Sequence, residues 1–172
     1  MTRASGVQTM TWLIRRICVQ AVQGRTSFFL ILAVLSSIGT LGGIVLFVLL
    51  FSYYANYNAA LWSLLSGIFA GGIFHVQALH LLHKLEHWHD KNTLGGLKVL
   101  GIIATSISLV ISGVYLALAI TRRQGFSLDS GNYYSASFFS LLTLFWAVLL
   151  IGGASHIQKK LGRDQAPLLH HP

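Results

Sequence analysis

The stretch "SFFLILAVLSSIGTLGGIVLFVLLFSYY", Ser27 to Tyr54, carries no charged residue and no proline. A helix needs about 20 predominantly apolar residues to cross a hydrocarbon core of about 30 Å, and this run exceeds that. Three more stretches meet the same requirement: about residues 59–82, 94–120 and 135–157. In lipid every backbone polar group must be satisfied within the protein, so only helices or closed barrels span it. These runs are too long and uninterrupted for barrel strands. The expected fold is an all-α membrane protein: an antiparallel four-helix transmembrane bundle covering about residues 27–157. Pro167 and Pro172 lie outside all four spans, so no proline kink is expected.

The composition agrees. Of 172 residues, 54% are hydrophobic and only 9% charged, whereas a soluble domain carries about 25% charged residues. The formal charge is +8, which in a soluble chain would suggest nucleic acid. Here the bases stand at the ends of the apolar runs, where they set membrane orientation, and nucleic-acid binding is not expected. Arg3, Arg15, Arg16, Arg25, Lys84, Lys91, Lys98, Lys159, Lys160 and Arg163 fall on one side, and only Arg122 and Arg123 on the other. That bias predicts cytoplasmic termini and a cytoplasmic middle loop. Tyr53, Tyr54, Tyr57 and Trp62 read as interface aromatics at one outer edge, Tyr133 and Tyr134 at the other.

Ahead of the first span, within residues 1–26, Met10, Leu13, Ile14, Ile17, Cys18 and Ala21 recur at helical spacing. Arg15, Arg16, Gln20 and Gln23 fall largely elsewhere on the wheel. The segment reads as a short amphipathic helix on the inner leaflet, or else as a bent extension of the first span. Arg15, Arg16, Arg25, Lys159 and Lys160 would hold lipid headgroups. Arg15 and Arg16 break any signal-peptide core, and no Asn-x-Ser/Thr sequon occurs. The single cysteine, Cys18, permits no internal disulfide; near the interface it is open to palmitoylation or stays a free thiol. The tail, residues 158–172, is polar and cytoplasmic in this scheme.

Helices in lipid associate by close backbone approach and interhelical hydrogen bonds, so small residues should mark the interfaces. Ser63, Gly67 and Gly71 lie four apart on the second span, and His75 extends the series. Gly101, Thr105, Ser108 and Ser112 form a stripe on the third. The first span offers Ser36, Thr40 and Gly43, the fourth Ser140, Thr143 and Ala147.

The segment "HVQALHLLHKLEHWHD", His75 to Asp90, holds five histidines. His80, His83 and His87 fall at i, i+3 and i+7, with Glu86 beside them. That is divalent-metal geometry, suited to zinc or copper. The competing reading is a helix turning polar as it leaves lipid, with Trp88 in the interface belt and Lys84 and Lys91 opposing a cation. A histidine patch that titrates near neutrality is a third. A haem site would pair His75 with His156, the other histidine in a span. His75 sits about seven residues deeper, roughly 10 Å at 1.5 Å per residue, which makes that pairing poor. His75 is the one ionisable side chain deep in a span, a functional candidate by default. Its alternative is a neutral imidazole hydrogen-bonded across the bundle, to Thr105 or Ser108, a role open to Gln77 too.

The four acidic residues, Glu86, Asp90, Asp129 and Asp164, all lie outside the spans. No midplane carboxylate suggests ion coupling, and no phosphate loop, nucleophilic triad or cysteine redox pair suggests an enzyme. The layout over residues 27–157 resembles the broad class of small four-span proteins with cytoplasmic ends, such as the sarcospan-like proteins. The resemblance implies an accessory subunit or organiser that contacts lipid and another integral membrane protein, or a second copy of itself. A metal- or haem-binding membrane protein and an oligomeric channel are the alternatives.

Overall fold

A computed structural model describes residues 29–81 and 91–165. Among these residues there are four helices: α1, Phe29–Ser52; α2, Tyr57–Leu81; α3, Lys91–Thr121; and α4, Tyr133–Gln165. All four are long and apolar enough to cross a membrane. The protein is an integral, multi-pass membrane protein. The expected N-terminal amphipathic helix, Cys18 and the headgroup residues Arg15, Arg16 and Arg25 lie outside the described residues.

Burial ranks the helices. Within the spans, 56% of α2 and 44% of α4 is buried, against 17% of α1 and of α3. α2 and α4 therefore form the inner, parallel pair, and α1 and α3 flank it. Large side chains such as Ile38, Leu41, Val45, Leu109 and Val110 point outward, where lipid receives them. Small residues point inward, as the want of a hydrophobic drive between helices in lipid requires.

Five contacts set the distances within three helix pairs. A Cβ on Gly43 would lie 2.6 Å from Gly67 Cα, so α1 and α2 touch backbone to backbone. Ser63 Oγ donates to Gly43 O at the same crossing. A Cβ on Gly101 would lie 2.7 Å from Ile151 Cγ1, which fixes α3 against α4. Higher on that pair, Ser137 Oγ donates to Ser112 O. Thr143 Oγ1 donates to Trp62 O and so joins α4 to α2.

The loop end, opposite the termini, is tied by two asparagines. Asn56 Oδ1 caps α2 by accepting from Ala59 N, while Nδ2 donates to Leu128 O, Asp129 O and Ser135 Oγ. Asn132 Oδ1 caps α4 at Ser135 N, and its Nδ2 donates to Gly125 O. Both follow the N-cap rule, an amide oxygen on an otherwise orphaned helix N–H. Asn56 thereby joins the α1–α2 turn to the α3–α4 loop. Trp62, read from the sequence as an interface aromatic, is buried in the core with Leu50, Ala59, Ala60, Ala136 and Phe139. It starts the second turn of α2 on the face toward α4.

Candidate functional site

The stripe from Ser63 through Gly67 and Gly71 to His75 does not stay on one face. Four residues turn a helix by about 400°, so the series drifts by about 40° at each step. Ser63 and Gly67 are buried, Gly71 is half-buried and His75 is exposed. The expected bond from His75 to Thr105 or Ser108 is absent, since neither hydroxyl has a hydrogen-bond partner. Gly101, Thr105, Ser108 and Ser112, at four-three-four spacing, suffer little drift and stay on the inner side of α3.

The buried polar group of α2 is instead Gln77, 1% exposed. Its Oε1 has no hydrogen-bond partner. Gln77 lies two residues from His75, about 200° around the helix, so the two point to opposite sides. It faces a cavity of about 620 Å³ between α1, α2 and α4 at the terminal end. Phe29 and Leu32 of α1 form one wall, and Val148, Leu149, Gly152, Gly153 and His156 of α4 another. The volume falls within the 300–1,000 Å³ range of small-molecule pockets.

Glycine makes this space. A Cβ on Gly152 would meet nothing within 4 Å, and one on Gly153 would meet only Gln77 Nε2, at 3.7 Å. His156 stands at the rim, its ring 6.1 Å from that of Phe29 and tilted by 44°. Lys159, exposed, follows at i+3, on the same side of α4. The site is thus an apolar slot with one imidazole and one unpaired amide oxygen, and with a lysine about one helical turn beyond the imidazole. It can take a flat apolar molecule with a group for the imidazole and an anionic edge for the lysine.

His83, Glu86 and His87 lie outside the described residues, and of His80 only the helical backbone is described. Among the described residues no three His, Cys, Asp or Glu side chains group to hold a metal ion. Lys160 lies in α4 beyond the last described side chain. His156 entered the sequence reading only as a partner for His75, and Gln77 only as a substitute for it. Neither Gly152–Gly153 nor Phe29 carried a signal. The pattern that could have marked the slot is a glycine pair three residues before a histidine, Gly152–Gly153 and His156, at the end of an otherwise bulky span.

The family described as haem-transporter, endosomal/lysosomal, haem-responsive gene, matches residues 97–146. That is most of α3, the α3–α4 loop and the first half of α4, under a third of the chain. The matched stretch contains no histidine, and every residue lining the cavity lies outside it. No solved structure matches.

Proposed function

We propose that this membrane protein binds haem as a cargo in the slot between α1, α2 and α4, as a step in moving it across or out of the bilayer. The observation that carries the reading is the cavity of about 620 Å³ with His156 at its rim. Haem is flat and largely apolar, its iron accepts an axial imidazole, and its two carboxylates need cations. His156 supplies the first and Lys159 the second. Gln77, with a free acceptor, would receive a donor or an ordered water at the buried end. The haem-transporter description of the matched family supports the same cargo. No acid, base or nucleophile is required, so the role is not enzymatic. The basic residues beside both termini support a slot mouth on the cytoplasmic side.

The test is a haem titration of full-length protein in lipid nanodiscs, following the Soret band. Saturable binding is expected, weakened about tenfold or more by His156→Ala, a loss of about 1.4 kcal/mol or more. No saturable binding, or equal binding by His156→Ala, overturns the reading. The joint replacement of His80, His83 and His87 by alanine, read by haem titration and by zinc and copper analysis, separates the slot from the histidine segment.

The role of accessory subunit or organiser keeps one specific support. Gly96 and Gly113 lie on the exposed side of α3, where a Cβ would meet nothing within 4 Å. A helix of another subunit could approach there closely. Co-purification of a stoichiometric membrane partner that Gly113→Leu abolishes would favour that role.

A further inference from the structure

A second space lies on the same seam, nearer the loop end. It measures about 120 Å³, and its lining includes Gly42 of α1, Ser66 of α2 and Trp146 of α4. Two of these residues present polar atoms without partners: Ser66 Oγ and Trp146 Nε1. Ser66 is 1% exposed and Trp146 7%. An unpaired buried donor costs about 1–3 kcal/mol, and more where lipid replaces water on the outside. Two such groups, from two helices, belong to residues that line one recess.

Ala70, Ile73, Ala147 and Leu150 pack together between this recess and the larger cavity. On α2 the order is Ser66, then Ala70 and Ile73, then Gln77. On α4 it is Trp146, then Ala147 and Leu150, then Gly153. The seam therefore alternates: polar recess, apolar layer, cavity with a polar wall.

We propose that the recess is a water-binding site within the membrane, with water accepting from Trp146 Nε1 and bonded to Ser66 Oγ. A bound water needs about two to four polar partners and about 30 Å³, and the recess offers two partners and room for a few molecules. Gly42 lines the recess, and a Cβ there would meet nothing within 4 Å, so a larger side chain at this position has room to enter it. The site does not depend on what the larger cavity holds.

Cysteine accessibility tests this in the full-length protein with Cys18→Ala as background. A methanethiosulfonate reagent reacts with thiolate, which forms only where water reaches the sulfur. Ser66→Cys is compared with Val45→Cys, exposed to lipid at similar depth, and Ala147→Cys, buried in the apolar layer. The expected result is reaction at Ser66→Cys about tenfold faster than at either control, and its loss when Gly42→Leu fills the recess. A rate no faster than the controls overturns the proposal. A second measurement covers the case of a Ser66 variant that does not fold. With Trp12, Trp62 and Trp88 replaced by phenylalanine, Trp146 emission should rise in deuterium oxide and shift to the blue on Gly42→Leu. Emission indifferent to both overturns it equally.

Discussion

Ser63 Oγ donates to the carbonyl oxygen of Gly43 at 2.9 Å, at the point where α1 and α2 run backbone to backbone. The glycines and the hydroxyl act together. Without a side chain on Gly43 and Gly67 the helices come close enough for the bond, and the bond then holds them in register. In lipid, where burial gives no net drive, such a crossing carries the association.

Gly43→Ala should therefore destabilise the bundle by about 1–3 kcal/mol, the usual range for overpacking. Its neighbour is the control. Gly42→Ala meets no atom and should gain up to about 1 kcal/mol from helix propensity. Thermal unfolding of both variants in one detergent gives the ordering; equal melting temperatures would refute the backbone-contact account.

Asn56→Ala removes a helix cap and three donated bonds that join the two loops. A cap alone is worth about 1 kcal/mol, and each buried group left unpaired adds to that. The expected loss is about 2 kcal/mol or more in thermal or denaturant unfolding. Asn56→Asp should recover the cap but not the donated bonds, and should fall between.

Ala55 adopts φ of 49°, in the left-handed region. A non-glycine residue pays about 1–2 kcal/mol there. Ala55→Gly should raise the melting temperature, a rare case of stabilisation by glycine. An unchanged or lower value would show that the turn owes nothing to this strain.

Gln77→Leu should separate stability from function. It removes an amide whose oxygen is buried and unpaired, so the empty protein should be as stable as before or more so, by about 1 kcal/mol. Haem affinity in nanodiscs should nonetheless fall, because the slot loses its one buried acceptor. A parallel fall in both quantities would make Gln77 a structural residue only.

The four helices were legible because the cost of bare backbone in lipid leaves one solution for four long apolar runs. The inner faces were less legible. Spacing of four residues suggested that His75 shares a face with Gly67, but 3.6 residues per turn carried it outside by the third step. The slot was illegible for a different reason. It arises from three helices meeting at Phe29, Gln77 and His156, residues scattered over the chain, and from a gap left by Gly152 and Gly153. Single-sequence patterns report the face a residue takes on its own helix, not the shape of the space between helices.

The bonds from Asn56 pin the two hairpins at the loop end, most of a helix length away from the slot at Phe29 and His156. Mechanically, Asn56 is a fixed point with a long lever arm to the slot. Displacement in such a lever grows with distance from the pin. Over a helix of about 30 Å, a tilt of about 10° would move the far end by roughly 5 Å, and leave the pinned end in place.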